Sequence, residues 1–235
     1  MHRLALVPFL LLLGGAAAPG DERVVMVTGF DRLRIDGPYA VEVVPGSPGV
    51  TISGDRAAID KVGVRVEAGT LVINAGLQSW DSAAGKAASG ARIRVSVPGL
   101  RMVQTNGGTT LQIAALVGSR IDVALNGTGR IDVARVDAQE LSVTMAGSGV
   151  VALAGTTLRL RVRLYGGTSF DAPGLTSSDA VLVSGSTGAL TVGVRYNSQV
   201  SATSSGPIRV IGNGKCAVTG QGPVECANIE ARRAD

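Results

Sequence analysis

Small-residue turns recur along the chain at a nearly constant interval, and this spacing limits the folds that the sequence can adopt. Six turns begin 20, 20, 19, 19 and 20 residues apart. They are Asn106-Gly107-Gly108-Thr109, Asn126-Gly127-Thr128-Gly129, Ala146-Gly147-Ser148-Gly149, Tyr165-Gly166-Gly167-Thr168, Ser184-Gly185-Ser186-Thr187 and Ser204-Ser205-Gly206. A fixed period of about 20 residues indicates a repeat architecture in which one short unit stacks on the next.

Aliphatic or aromatic residues occupy equivalent positions on both sides of the turns. Those after the turns are Leu111, Ile131, Val151, Phe170, Leu190 and Ile208, and those before the next turns are Ile121, Leu141, Leu160, Val181 and Val200. Another aliphatic residue follows each of them two positions later, and this alternation predicts half-buried strands. Each unit therefore contains at least two short strands and shows no helical periodicity.

We interpret each unit as one coil of an all-β, single-stranded parallel β-helix, a solenoid with about 20 residues per coil. Glycine supplies the positive-φ corners, and small residues let successive corners approach closely. A propeller blade needs four strands and about 40 residues. An antiparallel sandwich is the alternative, because Asn-Gly is also a hairpin signal, although a hairpin fold does not require such regular columns.

The composition agrees with many short strands closed by glycine turns. Glycine makes up 33 of the 235 residues, about twice ordinary usage, without the Gly-X-Y period of collagen. A hydrophobic fraction of 45% with 17% charged residues excludes an intrinsically disordered chain. We expect one β-helix domain over residues 24–226, irregular over 24–98 and regular over 99–226, followed by a polar tail over 227–235.

Residues 1–18 have the pattern of a signal peptide. Arg3 provides a basic start, residues 4–13 are almost wholly apolar, and small residues follow. An uncleaved membrane anchor is the alternative, but it needs about 20 apolar residues. We expect an exported protein, periplasmic or extracellular at the cell surface, with no transmembrane segment in the mature chain.

The two cysteines, Cys216 and Cys226, flank a Gly220-Gln221-Gly222-Pro223 turn. In an exported protein this arrangement predicts a disulfide that closes the C-terminal end. Two free thiols or a metal-binding pair are the alternatives, although two sulfurs without histidine are too few ligands for a structural zinc site.

The residues give little basis for catalytic, cofactor or metal chemistry. His2 is the only histidine, and it lies in the predicted signal peptide, so the mature chain lacks an imidazole for a catalytic triad or a zinc site. Carboxylates stack in such a coil when they are 19–21 residues apart, and no acidic pair between residues 106 and 206 has this spacing. Asp122 and Asp132, ten residues apart, should face different sides. We predict a non-enzyme; a polysaccharide lyase or hydrolase is the alternative.

The N-terminal segment carries a family resemblance. The stretch FDRLRIDGPYAVEV (residues 30–43) is followed by Ile52-Ser53-Gly54-Asp55, Leu71-Val72-Ile73, Trp80, residues 93–98 and the glycine turns. This order resembles the auto-transporter adhesin head GIN domain family of exported bacterial proteins, over roughly residues 29–226. The resemblance implies a right-handed parallel β-helix in the envelope or outside the cell, with no established catalytic activity and no catalytic residues to carry over.

Three arginines in one predicted strand form the main candidate ligand surface, since Arg159, Arg161 and Arg163 alternate with apolar residues that should face the core. The apolar residues are Leu158, Leu160, Val162 and Leu164. Arginine suits carboxylate and phosphate ligands, which favours an anionic glycan, an envelope polymer or an envelope protein as partner. A solvated face that discourages aggregation is the alternative. Arg120, Glu140 and Arg161 occupy nearly one column and predict a charge ladder between coils.

Trp80, in an expected exposed loop over residues 76–90, is the second candidate, because an exposed indole can stack on a sugar; covering the core end is the alternative. Aromatic residues are expected to stack along the coil, and amides to form a short internal ladder at the corners. The aromatic set is Tyr165, Phe170 and Tyr196, and the amide pair is Asn106 and Asn126.

Together these features predict an exported, non-enzymatic envelope or cell-surface module with adhesin-like binding of glycan or envelope polymer. A purely structural periplasmic protein is a further alternative. The formal charge of +4 is spread along the chain with few aromatics, which does not match a nucleic-acid surface.

Overall fold

The structure is a computed structural model that describes residues 21–75, 90–227 and 231–233. These residues form strands almost throughout. The N-terminal elements are β1 (Asp21–Val25), β2 (Arg32–Asp36), β3 (Ala40–Pro45), β4 (Gly49–Gly54), α1 (Arg56–Ile59), β5 (Val62–Glu67), β6 (Thr70–Ala75) and β7 (Arg92–Val97). The later strands are β8 (Met102–Asn106), β9 (Thr110–Ile113), β10 (Leu116–Gly127), β11 (Arg130–Gly147), β12 (Val150–Gly166), β13 (Ser169–Ser186), β14 (Leu190–Ala202), β15 (Ile208–Ile211), β16 (Lys215–Gly220), β17 (Val224–Ala227) and β18 (Ala231–Arg233).

From β8 onward every pairing between coils is parallel. One inward column runs through Ile121, Leu141, Leu160, Ala180, Ser198 and Cys216, at intervals of 20, 19, 20, 18 and 18 residues. The predicted β-helix is therefore confirmed, and the antiparallel sandwich is wrong for this part of the chain. The coil shortens beyond Ala180 because two register shifts in the β13–β14 pairing remove residues between the faces.

The corners of a coil appear where the alternation of buried and exposed residues breaks. In β11, Ala134 and Arg135 are exposed in succession, and the phase changes again at Gln139 and Glu140. Three segments per coil result, which we call face B (residues 130–134 in this coil), face C (136–138) and face A (141–146). Their inward side chains form a continuous aliphatic core in which Ile131, Val136, Leu141, Val143 and Met145 are at most 1% exposed.

Glycines form the corner between faces A and B. Gly107, Gly127, Gly147 and Gly166 all have positive φ, which L residues with a side chain rarely adopt. Gly107 N–H donates to the Asn126 carbonyl at 2.8 Å, and Thr128 N–H donates to the Gly107 carbonyl at 3.1 Å. Successive corners are thus bonded backbone to backbone, as the spacing of the glycines predicts.

The N-terminal strands depart from simple stacking in chain order. The coil made by β2 and β3 lies between two later coils, with β6 and β7 on one side and β8 and β9 on the other. Beyond β6 and β7 the pairing becomes antiparallel, through β5 on face A and through β4 and β1 on face B. The short α1, with Ala58 and Ile59 buried, connects β4 to β5. This end of the sheet therefore presents antiparallel edges rather than a bare coil.

The predicted disulfide between Cys216 and Cys226 is confirmed. Cys216 stands inward on β16 above Ser198, and Cys226 stands on β17 next to Val210. The bond therefore links faces A and B across the last coils, where the stack of aliphatic side chains ends.

Substitution of a corner glycine is expected to destabilise the fold. In Gly127→Ala the new Cβ would lie 2.7 Å from the Gly107 carbonyl oxygen at a φ of +118°, so the two coils must separate or the backbone must change. We expect the free energy of unfolding to fall by more than about 1 kcal/mol in urea denaturation. Gly118→Ala is the control, since its Cβ would meet nothing closer than Ile121 Cγ1 at 3.9 Å. Equal midpoints for the two variants would contradict this account.

Removal of the disulfide should destabilise the C-terminal coils. The bond closes a loop of ten residues, and loss of this constraint on the unfolded chain is expected to cost about 2–3 kcal/mol in the double variant Cys216→Ser/Cys226→Ser. Thermal unfolding of wild type with and without reductant checks the result independently. A wild type whose stability is insensitive to reduction would contradict the prediction.

Candidate functional site

The three predicted arginines lie side by side on the outer surface of face A. Arg159, Arg161 and Arg163 are exposed, while Leu160, Val162 and Leu164 between and beyond them are at most 2% exposed. The expectation that Leu158 also faces the core is wrong, because it is 54% exposed. The corner between faces C and A falls at Leu158 and Arg159, where two successive residues point outward.

Tyr165 extends this row beyond Arg163, and its side chain is 48% exposed. We call Arg159, Arg161, Arg163 and Tyr165 the β12 ridge. Successive outward residues of a strand are about 6.6 Å apart, so the ridge is roughly 20 Å long. Its four long side chains start from a backbone fixed by pairing on both sides.

The strands beside the ridge carry small or short side chains at the matching outward positions. These neighbours of Arg161, Arg163 and Tyr165 are Ser142, Thr144 and Ala146 on β11 and Val181, Val183 and Gly185 on β13. They contain no acidic group, and they leave open space above the sheet. The guanidinium groups are consequently accessible from solvent along the length of the ridge.

The ridge arginines differ from most other outward arginines in having no carboxylate partner. None of the three lies within 4.0 Å of a carboxylate oxygen among the described residues, although eight other arginines do. Those eight are Arg32, Arg34, Arg65, Arg94, Arg101, Arg120, Arg130 and Arg209. The ridge is therefore a local concentration of uncompensated positive charge.

The predicted charge ladder exists, but Arg159 occupies the column assigned to Arg161. The register runs through Arg120, Glu140, Arg159, Asp179, Asn197 and Lys215. Arg120 donates to Glu140 Oε2 from Nη2 at 2.8 Å, and the Asn197 amide donates to Asp179 Oδ1 at 2.7 Å. The one-residue change of coil length between β11 and β12, which the repeat spacing alone does not locate, moves Arg159 into this column.

The Arg120 hydrogen bond lowers the pKa of the Glu140 carboxyl below its ordinary value of 4.5, and the positive charges of Arg120, Arg159 and Arg161 act in the same direction, while desolvation opposes them. The same hydrogen bond raises the pKa of the Arg120 guanidinium. Glu140 therefore stays ionised at neutral pH and has a partner, unlike the arginines two positions further along β12.

A groove lies beside the first part of the ridge. Its volume is about 500 Å³, and its lining includes Arg159, Arg161, Asn197, Gln199 and Lys215. The lining thus combines three positive groups with two amides, which can donate hydrogen bonds to an oxygen-rich anion.

The tyrosines were misplaced by the sequence interpretation. Phe170 is fully buried and stacks in the core as expected, but Tyr165 and Tyr196 are 48% and 62% exposed. Both occur at corners, where the inside–outside alternation changes phase. The signal that could have identified Tyr165 is its place as the first residue of a glycine turn, which Asn106, Asn126 and Ala146 fill in the preceding coils.

The predicted amide ladder is present on the outer surface instead of inside the coil. Asn126 Nδ2 donates to Asn106 Oδ1 at 3.0 Å, and Asn106 Nδ2 donates in turn to Asp36 Oδ1. The ladder therefore bridges three coils, including β2 from the early part of the chain.

Trp80 lies outside the described residues, so its position relative to the ridge stays a prediction. The acids do separate as expected: Asp122 is on β10 of face A, and Asp132 is on β11 of face B, where it pairs with Arg130 at 2.7 Å. Over residues 21–75 and 90–227 no three or more histidine, cysteine or acidic side chains group as a metal site.

Loss of Arg120 is expected to raise the pKa of Glu140 toward 4.5. A carboxyl whose pKa is depressed by folding contributes stability above its unfolded pKa and loses it as the pH falls through the folded value. Arg120→Ala should therefore destabilise the protein at neutral pH, and the difference from wild type should shrink below pH 4. Carboxyl NMR titration measures the shift directly. Arg130→Ala, which removes a pair on face B, should leave Glu140 unchanged; an unchanged Glu140 pKa in Arg120→Ala contradicts the assignment.

Comparison with solved structures places the fold among bacterial proteins of similar length. A putative adhesin from Bacteroides fragilis matches over 93% of this chain and 95% of its own, at 15% identity and a TM-score of 0.62. A putative lipid binding protein and a putative adhesin, both from Parabacteroides distasonis, match over 93% and 90% of this chain (98% and 94% of their own) at 15% and 14% identity, each with a TM-score of 0.54. At such identities the likeness shows the fold alone.

No curated protein matches the chain. Within the described residues, no helix has both the length and the apolar character of a membrane-spanning helix. The family model described as "Putative auto-transporter adhesin, head GIN domain" matches residues 29–214. Because the match covers more than half of the chain, this protein belongs to the auto-transporter adhesin head GIN domain family.

Proposed function

We propose that the protein is an exported, non-enzymatic, adhesin-like module that binds an anionic glycan or envelope polymer through the β12 ridge. The observation that carries the proposal is the set of three adjacent guanidinium groups without a carboxylate partner in the described part of the chain. Family membership supports an adhesin-like role, and the signal-peptide pattern of residues 1–18 supports export.

The chemistry of arginine favours an oxyanion ligand. A guanidinium group is planar, stays charged, and presents its donors in a fork that matches a carboxylate or a phosphate. At the ridge such groups recur about every 6.6 Å along a strand. A polymer with repeated acidic groups can therefore engage several of them at once, and each weak contact adds to the effective affinity of the next.

A non-enzymatic role agrees with the state of the nearby acids. Glu140 accepts hydrogen bonds from Arg120, and Asp179 accepts one from Asn197. The two carboxylates are in register with Arg159 between them. Glu140 also has a lowered pKa, whereas a general acid needs a raised one. The groove beside the ridge thus has charges suited to holding an anion.

The proposal is tested with the double variant Arg161→Ala/Arg163→Ala and an immobilised acidic polysaccharide. Binding should weaken on the order of tenfold, since two exposed ion pairs of up to ~1 kcal/mol each are lost. Affinity in wild type should fall as salt is added, because the contacts are exposed.

The matched control is Arg94→Ala/Arg209→Ala. Both arginines are exposed on face B and paired with Glu42 and Glu225, so this variant removes the same charge from another face. Equal weakening in the two double variants would indicate non-specific attraction and contradict the proposal. Shortening of the polysaccharide during incubation with wild type would contradict the non-enzymatic assignment.

A further inference from the structure

The geometry points to a sugar-specific subsite at the end of the β12 ridge: we infer that Tyr165 and Arg163 together bind one uronic-acid residue of an acidic polysaccharide, with the sugar ring on the phenol and its carboxylate on the guanidinium. The inference rests on the proposed function and narrows its ligand from any polyanion to a uronate-containing glycan. Nothing in the ridge arginines alone makes that distinction.

Tyr165 is an exposed aromatic residue at a position that the repeat otherwise fills with small or amide side chains. In the preceding coils the same row holds Asn106, Asn126 and Ala146, and in the next coil it holds Gly185. The asparagines have a structural partner in each other. The phenol ring, by contrast, is 48% exposed and is not part of the core, so packing in the repeat does not account for it.

The surroundings of the ring leave room for a flat ligand. A Cβ atom placed on Gly185 would lie 3.8 Å from Tyr165 Cδ1, so the ring lies alongside that glycine. On the other flank the matching residue is Ala146. Neither neighbour has a side chain that reaches above the ring, so a face of the phenol is accessible to the C–H-rich face of a pyranose, the contact by which aromatic side chains hold sugars.

Arg163 supplies the complementary charge at the required distance. It is two residues before Tyr165 on the same strand face, about 6.6 Å away along the backbone, and it has no carboxylate within 4.0 Å among the described residues. A sugar stacked on the ring therefore places an acidic substituent within reach of the guanidinium. Arg161 and Arg159 continue in the same direction, so further acidic residues of the polymer would follow β12.

A phosphate polymer lacks the sugar ring, and this difference separates the inference from the general proposal. The probes are polygalacturonate, which has both ring and carboxylate, and inorganic polyphosphate, which has charge alone. Tyr165→Ala should weaken polygalacturonate binding roughly five- to tenfold and leave polyphosphate binding within about twofold. Tyr165→Phe, which keeps the aromatic face, should bind both probes like wild type.

Tyr196→Ala is the matched control, because it removes another exposed tyrosine, at a corner away from the ridge; it should bind both probes like wild type. A second readout is the NMR spectrum of wild type with a short galacturonate oligomer, in which Tyr165 ring resonances should shift and Tyr196 resonances should not. This measurement needs no substitution and so does not depend on the folding of a variant.

The outcomes separate failure of the inference from failure of the proposed function. If Arg161→Ala/Arg163→Ala weakens binding of both probes and Tyr165→Ala affects neither or both equally, the uronate subsite is wrong and the anion-binding ridge stands. If the arginine variant leaves both probes unchanged, the proposed function is wrong as well. A wild type without saturable binding to polygalacturonate overturns the subsite directly.

Discussion

The close backbone contact between stacked glycine corners is the constraint on which the rest of the structure depends. At Gly127, Gly147 and Gly166 the backbone has positive φ, and the position of a Cβ atom is taken by the carbonyl oxygen of the corner one coil earlier. Only a residue without a side chain meets both demands. Because each corner must sit directly on its predecessor, the strands that leave it start in register, and the parallel pairing of faces A and B follows.

This register places every outward residue in a row that crosses the coils, so the surface chemistry is organised in rows. Opposite charges in neighbouring coils then pair, as Arg120 does with Glu140 and Asn197 with Asp179. A row in which charge is left unpaired is a departure from this pattern. The β12 ridge is such a departure, since its arginines face uncharged residues such as Ser142 and Val181 on both sides.

The period of the glycine turns and the period-two alternation were sufficient to predict the β-helix, its corner residues and the inward aliphatic columns, because both patterns follow directly from backbone geometry. The order of the first coils was not predictable, since β2 and β3 pair with strands far ahead in the chain and no local pattern records the insertion. Side-chain direction was uncertain at corners for a related reason. The alternation changes phase there, which placed Leu158 outside, shifted the ladder from Arg161 to Arg159, and left Tyr165 on the surface.

The position of the ridge in the middle of the solenoid bears on how it can bind. β12 pairs with β11 and β13 along most of its length, whereas the antiparallel strands and the Cys216–Cys226 bond lie toward opposite ends of the stack. The backbone under the ridge is therefore fixed before any ligand arrives. Binding needs to order only the exposed side chains, each at a cost of about 0.5–1.5 kcal/mol. Exposed arginine pairs of ~1 kcal/mol or less barely exceed that cost one at a time. A single acidic group should consequently bind weakly, and a polymer that spans several residues of the ridge is the kind of ligand for which this surface gains a net advantage.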